Sequence, residues 1–358
     1  MSRNVTARVD LSAVVRNYRK LKALAPRSRT LAVVKANAYG HGIEAVGRAL
    51  RGADGFGVAA LDEAAALREI GVTDPIILFA GFDSPGDLPR LRQLSIWPVL
   101  HHPAQIQMLE AEGTAEPLKL WVKLDSGMHR LGFQPGDLHE AITRLRALPN
   151  VDSDFVLMSH FASADEPERD TTARQIAAFD AATAGLNHPQ SLANSAATLG
   201  RPDAHRDWNR PGGMLYGLST QAGRYGADFD MDAAMRLSTK LVSVHTMAAG
   251  ESIGYAGAFT CPTDMTIGIA AIGYGDGYPR HAPTGTPVLV DGHAAHIVGR
   301  VSMDMVALDL SQVPNPCCGM KVVLWGDGLA VETVADSAGT ISYDLTCGLT
   351  QRVRFDYR

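Results

Sequence analysis

Short apolar runs alternate with stretches of helical periodicity from about residue 30 to about residue 217. The runs are Leu31–Lys35, Phe56–Ala59, Ile76–Ala80, Trp97–Leu100, Leu118–Leu124, Phe155–His160, Ser191–Ala193 and Trp208–Arg210. Between most of them apolar residues recur at helical spacing, over Ile43–Leu50, Asp62–Ile70, Gly86–Gln93, Pro103–Glu112, Gly136–Ala147 and Thr171–Ala184. Unbroken runs of this length read as strands buried on both faces, and the periodic stretches as helices covering them. Eight strands alternating with helices predict a parallel sheet, and eight strands close a TIM-like (β/α)8 barrel. Pro211-Gly-Gly213 marks the end of the eighth strand.

After about residue 232 helical spacing fades. Strand-like runs take over at Leu241–Met247, Met265–Ile272, Pro287–Val290, Ala294–Val298, Met305–Leu310 and Lys321–Leu324. Asp276-Gly277, Asp291-Gly292 and Asp327-Gly328 read as hairpin turns among them. The expected organisation is an α/β chain with a barrel over residues 11–232. A C-terminal, mainly antiparallel β domain follows over 233–358. The opening strand, Asn4–Asp10, precedes the first barrel helix and is free to join the β domain.

Composition narrows the classes. A chain of 358 residues, 46% hydrophobic and 20% charged, suits a two-domain soluble protein. The net charge of -5 comes with no basic stripe, which argues against nucleic acid as a partner. No apolar run reaches the ~18 residues of a membrane span, and Met1–Asp10 has no apolar signal core. The four cysteines, Cys261, Cys317, Cys318 and Cys347, form no CxxC pair and read as reduced thiols of a cytoplasmic protein. No metal motif stands out.

Chemistry concentrates where the barrel strands end, the face on which such barrels carry their active sites. The first strand ends on Lys35, with Tyr39 just beyond. The fifth gives Lys123, Asp125 and Arg130, the sixth His160, the seventh Asn194 and Ser195, and the eighth Arg210, Gly212 and Gly213. A lysine amine near apolar walls becomes nucleophilic and suits a Schiff base with a carbonyl or with pyridoxal phosphate. The loops after strands seven and eight often bind phosphate. Here they are Asn194-Ser-Ala-Ala, which starts a helix over Ser195–Leu199, and Arg210-Pro-Gly-Gly. No nucleotide fingerprint competes, so lysine, phosphate site and arginine together point to pyridoxal 5′-phosphate. An arginine beside the ring nitrogen cannot accept its proton. The ring would be a weak electron sink, which suits a reaction that removes and returns one proton.

Read alone, several of these residues have plainer explanations. Tyr255 reads as a core aromatic, Lys123 as the partner of Asp125, and His160 as a satisfied barrel histidine. The order of the motifs says more. Ala32-Val-Val-Lys35-Ala-Asn-Ala-Tyr39-Gly-His41-Gly42 resembles the cofactor-lysine signature of alanine racemases. Lys123-Leu-Asp-Ser-Gly-Met-His-Arg130, Ser159-His160-Phe-Ala-Ser-Ala-Asp, Asn194-Ser195-Ala-Ala and Arg210-Pro-Gly-Gly-Met-Leu-Tyr-Gly follow in that family's order. So do Ser252-Ile-Gly-Tyr255, Ile272-Gly-Tyr274-Gly-Asp-Gly-Tyr278, Gly299-Arg-Val-Ser-Met303-Asp304 and Ile341-Ser-Tyr343. The resemblance covers nearly the whole chain.

It implies racemisation of alanine by a homodimer with composite sites, supplying D-alanine for peptidoglycan or feeding alanine catabolism. Lys35 would bind the cofactor and act as base on the D-side. Tyr255, from the partner subunit, would act on the L-side. Arg210 would meet the ring nitrogen, oriented by His160. Tyr39, Asn194, Ser195, Gly212, Gly213 and Tyr343 would hold the cofactor, chiefly its phosphate. Arg130 would face the phenolic oxygen and the substrate carboxylate, beside an N-carboxylated Lys123. Met303 of the partner would contact that carboxylate, and Tyr274 would narrow the way in. Three positions depart from the family pattern: Ser191 stands where histidine often backs the arginine, Gly213 for a branched residue, and Ser302 for cysteine. Rival readings are a racemase of broader or serine specificity, a decarboxylase of the same fold type, a non-catalytic cofactor carrier and a barrel metallohydrolase. Arg210 opposes the decarboxylase. The β domain with Tyr255 opposes the carrier. Asn37 and Tyr39, in place of an HxH pair, oppose the metallohydrolase.

Overall fold

The computed structural model describes residues 5–113, 116–219, 221 and 223–358, and within it the chain divides into two units. The Asn4 end of the expected opening strand lies outside the described residues. One unit comprises Val15–Ala38 and Gly42–Leu215; the other comprises Met1–Val14, Tyr39–His41 and Tyr216–Arg358.

Strand β1 (Thr6–Val9) comes first. The next eight are β2 (Arg29–Val33), β3 (Gly55–Val58), β4 (Ile76–Leu78), β5 (Ile96–Leu100), β6 (Trp121–Lys123), β7 (Val156–Met158), β8 (Gln190–Ser191) and β9 (Trp208–Asn209). They close a parallel barrel, sealed where Arg29 and Thr30 of β2 pair with Trp208 and Asn209 of β9. Each of the eight apolar runs contains one of these strands, in whole or in part.

Leu31, Ile77, Val99, Trp121, Val156, Met158 and Trp208 form one buried cluster within the barrel unit. The Trp121 and Trp208 rings lie 5.7 Å apart. Such large groups leave little room elsewhere, which explains why β3 reads Gly-Phe-Gly-Val: a Cβ on Gly57 would meet the Phe79 ring at 2.5 Å. Helices cover the strands at Ile43–Ala49, Leu61–Glu69, Leu88–Gln93, Pro103–Glu112, Leu138–Arg146 and Thr171–Ala182. Local signals set their ends. For Pro103–Glu112, His102 caps the start by accepting from the Ala104 amide, proline takes the first turn, and Gly113 ends the helix at φ +69°.

The second unit is built on β10 (Met235–Met247). After it come β11 (Ser252–Ile253), β12 (Phe259–Thr260), β13 (Met265–Ala270), β14 (Pro287–Val290), β15 (His293–Val298), β16 (Val306–Asp309), β17 (Lys321–Trp325) and β18 (Arg354–Tyr357). The first half of β10 pairs with β17 and its second half with β13, so pairings through β16, β15 and β14 close an antiparallel ring. On the other edge of β10 lies β1, antiparallel, and β18 runs parallel to β1. Asp291-Gly292, at φ +46° and +85°, is the hairpin expected between β14 and β15.

Two expectations need correction. Asp276-Gly277 joins no strands; it ends a short 3-10 turn, Tyr274–Asp276, with the Asp276 side chain buried. Asp327-Gly328 turns the chain back between Gly326 and Leu329, not between two long strands. The unit also holds two helices, Val331–Ala338 and Ser342–Cys347, in a region where helical spacing fades from the sequence. Both are too short to build a clear period. None of the four cysteines is joined in a disulfide; Cys261 is buried and the others are exposed. Among the described residues no helix is long and apolar enough to cross a membrane.

Gly57→Ala forces a methyl group against Phe79, and overpacking of this kind costs about 1–3 kcal/mol. A lower urea midpoint at unchanged slope is the expected result.

Candidate active site

Five barrel strands bring polar side chains to one rim: Lys35 beyond β2, Lys123 at the end of β6, His160 beyond β7, Ser191 at the end of β8 and Arg210 beyond β9. The strands run parallel, so their C-terminal ends share one face.

The backbone beyond Lys35 does not make an ordinary turn. Ala36, Asn37, Ala38 and Tyr39 all take left-handed backbone angles, φ +52° to +56°. Each such residue costs about 1–2 kcal/mol outside glycine, so the conformation must be held from outside. Ala38 N donates to Val34 O at 2.8 Å, and Asn37 Oδ1 accepts from Ile43 N at 2.8 Å, which starts the next helix. A third hold comes from a residue that no motif in the sequence singles out, Glu63, whose Oε1 accepts from Ala36 N at 2.6 Å.

Arg210 is only 4% exposed. Its Nη1 donates to Ser191 Oγ at 2.6 Å, and its Nη2 to Ser159 O at 2.7 Å and Leu192 O at 3.2 Å, with His160 Nδ1 at 3.5 Å. All four of these partners are uncharged. Burial pushes the guanidinium down to about 9, still charged at neutral pH. Ser191, the first of the three departures, therefore does back the arginine: its hydroxyl accepts from Arg210 and donates to Trp208 O at 2.8 Å.

Cations crowd this rim. Burial, then the like charges of Arg130, Arg210 and Lys35, push the Lys123 amine down from 10.5 to about 8. Burial, then Arg210, Lys123, Arg130 and Lys35, holds His160 well below the ordinary imidazole range, so its ring is neutral. With Arg210 donating to Nδ1, the ring proton belongs on Nε2. Asp125 offers Lys123 only modest relief. Its Oδ1 accepts from the amides of Gly127, Met128 and His129 at 3.0–3.1 Å. Burial works against its charge, but those amides keep the carboxyl below its usual range. The turn they make carries the exposed Arg130.

The two loops expected to bind phosphate are tied together. Asn194 caps the helix Ser195–Gly200 by accepting from Ala197 N at 3.0 Å. Ser195 Oγ accepts from Gly212 N at 2.8 Å and from Met214 N at 3.5 Å, which leaves its own hydrogen to donate. Gly212 and Gly213 are buried.

The remaining expected residues lie in the other unit. Tyr39 packs between Tyr216, 5.3 Å away, and Tyr343, edge-on at 5.2 Å. Burial, with Tyr343 and Cys347 beside it, pushes its phenol up, so it stays protonated. Tyr255 is 72% exposed, and Tyr274 and Met303 are exposed too. Tyr255 is therefore not the core aromatic that its position alone suggests. Backbone bonds join the last two loops, Tyr274 N to Ser302 O at 3.0 Å and Gly275 N to Met303 O at 2.9 Å. Arg352, which also belongs to no motif, pairs with Asp276 at 3.2 Å and with Asp304. Ser302 closes its own turn, its hydroxyl donating to Met305 O and accepting from Met305 N.

Comparison with known proteins shows the same order of parts. A family model described as alanine racemase, N-terminal domain, matches residues 9–220, and one described as alanine racemase, C-terminal domain, matches residues 234–357. The chain is 48% identical to the alanine racemase of Thioalkalivibrio sulfidiphilus, covering 100% of this chain and 99% of that one. It is 46% identical to that of Nitrosospira multiformis, covering 99% of each. Among solved structures, the biosynthetic alanine racemase of Pseudomonas aeruginosa is 45% identical, with a TM-score of 0.97 and 99% of each chain covered. The alanine racemase of Bartonella henselae, solved with covalently bound pyridoxal phosphate, is 28% identical, with a TM-score of 0.91 over 99% of each chain.

Ser191→Ala leaves a buried donor of Arg210 without an acceptor, a loss of about 1–3 kcal/mol. Calorimetry should show the drop, and Ser191→Thr, which keeps the hydroxyl, should recover most of it.

Proposed function

Given that the chain belongs to the alanine racemase family and is an enzyme that interconverts L- and D-alanine, we propose that it works with pyridoxal 5′-phosphate at the barrel rim, as a homodimer. The observation that carries this reading is the cation cluster: Arg130, Arg210 and Lys35 all press on the charge of Lys123 there, and Arg210 donates to uncharged acceptors. A phosphate, a phenolic oxygen and a substrate carboxylate are the anions that such a donor set fits. When bound, pyridoxal phosphate supplies a conjugated ring that spreads the charge left as an α-proton departs.

This chain's residues do the rest. Lys35 would hold the cofactor through its Nζ, then take or return the α-proton on the D-side. Tyr255 of the partner subunit would serve the L-side. Two groups on opposite faces allow inversion without turning the substrate over. The exposure of Tyr255 suits a residue that works on another copy. Arg210 would donate to the ring nitrogen and cannot give it a proton; Ser191, Ser159 and the neutral His160 keep it aimed. Ser195, capped into place by Asn194, would hold the phosphate with the amides of Gly212 and Gly213, and Tyr39 and Tyr343 keep the phosphate role that the resemblance gives them. Arg130 would meet the phenolic oxygen and the substrate carboxylate, Met303 of the partner subunit would offer that carboxylate its amide, and Tyr274 would narrow access.

Lys123 is proposed to be N-carboxylated. Its neutral amine attacks carbon dioxide, an N–C bond forms, and one proton leaves. That turns a like charge beside Arg130 into a counter-charge. We place the protein in the cytoplasm, where cysteines outside disulfides stay reduced.

Pure L-alanine and L-serine in deuterated water test the reaction. Alanine should racemise with α-deuteration and without release of carbon dioxide. A purified protein with no yellow, borohydride-reducible chromophore on Lys35 would overturn the cofactor assignment. Tyr255→Phe should lower turnover from L-alanine by roughly 10²–10⁴-fold, with exchange from D-alanine lowered less.

Only the neutral amine of Lys123 captures carbon dioxide. At a fixed concentration of dissolved ¹³C-carbon dioxide its labelling rate should therefore rise up to about pH 8, not 10.5, and level off above. NMR of the carbamate carbon reads it.

A further inference from the structure

Glu63 has no part in the assignments above, yet it grips the peptide next to Lys35. It sits in the first turn of the helix Leu61–Glu69, the helix that follows β3. One oxygen accepts from the Ala59 and Ala60 amides at 2.8 and 3.1 Å, which caps its own helix. The other reaches across to Ala36 N at 2.6 Å. A carboxylate accepting from three amides makes strong, charge-assisted bonds. A capping residue needs only the first set; the second joins two neighbouring strand ends.

The grip falls where the backbone most needs it. Ala36 opens the left-handed run, which unaided L-residues disfavour. Its amide belongs to the peptide plane on the carboxyl side of Lys35. The plane before Val34 is also held from β3, by Val34 N donating to Gly57 O at 2.8 Å. Lys35 thus leaves a backbone pinned before and after it, once by β3 and once by the helix that follows it.

We propose that Glu63 is a positioning residue: by holding the Ala36 amide it sets the direction from which the Lys35 amine meets the cofactor aldehyde and the substrate α-carbon. This rests on the assignment of Lys35 as the cofactor lysine. Glu63→Ala removes both sets of bonds. Glu63→Gln keeps the volume and one acceptor oxygen, but its NH2 then opposes an amide on one side. Ser84→Ala is the control, since it removes an exposed cap elsewhere on the barrel, on Gly86 N.

The test strips each full-length protein with hydroxylamine, adds pyridoxal phosphate back, and follows the chromophore that borohydride fixes on Lys35. Turnover in both directions is measured beside it, well below each melting temperature. Glu63→Ala should slow both chromophore recovery and kcat by roughly 10–100-fold, with KM moving about twofold or less. Glu63→Gln should show a smaller loss of the same kind, and Ser84→Ala none. If Glu63→Ala only melts earlier and keeps both rates, Glu63 is a cap and the proposal fails. If Glu63→Ala does not fold, parental rates in Glu63→Gln defeat it. A parent protein that forms no chromophore on Lys35 defeats the cofactor assignment itself, independently of Glu63.

Discussion

Repulsion among cations at one rim of the barrel is the constraint on which the rest of the site depends. Arg210 is buried among carbonyls, a hydroxyl and a neutral imidazole. Burial, and then the like charges of its neighbours, press Lys123 toward its neutral form. A folded protein keeps such an arrangement only if other bonds hold it, or if anionic ligands complete it. The hydroxyl of Ser191 and the carbonyls of Ser159 and Leu192 do the holding here. The proposed cofactor, substrate and carbamate would do the completing.

The barrel contributes geometry more than chemistry. Parallel strands place their ends on one face, and short loops then aim individual groups. Three devices do the aiming. A left-handed run succeeds Lys35, a turn nested on Asp125 carries Arg130, and a serine clasp joins the loops of Asn194 and Gly212. Each uses side chains to satisfy backbone amides that regular structure cannot reach.

The large features were legible because burial leaves a mark in composition. Strands covered on both faces must be apolar throughout, so Ile76–Leu78 and Val156–Met158 stand out in the sequence. The rim residues were legible as the polar ends of those runs. Other features left no such mark. Ala36-Asn-Ala-Tyr39 contains no glycine, so nothing announces a left-handed backbone. Asp276-Gly277 has the letters of a hairpin, but a glycine at positive φ also ends a 3-10 turn. The helix Ser342–Cys347 is shorter than two full turns, and β18 shows no alternation of burial. Glu63 and Arg352 act on atoms distant in sequence, which no local pattern can report. For Glu63 a hint existed, an acid three residues after Ala60, where helix caps are sought.

The parallel pair β1–β18 sets an order on events at the ribosome. The strands of the barrel unit have all been made once Asn209 has emerged, and nearest neighbours in that ring are also neighbours in synthesis, apart from the closing pair. Strand β1 is translated before any of them, yet one edge must wait for β10 and the other for the last strand of all. Until then an early segment with bare amides and carbonyls is exposed to the crowded cell, a hazard for edge-to-edge association. Its brevity, four residues with Arg8 pointing outward, limits that hazard for as long as translation lasts.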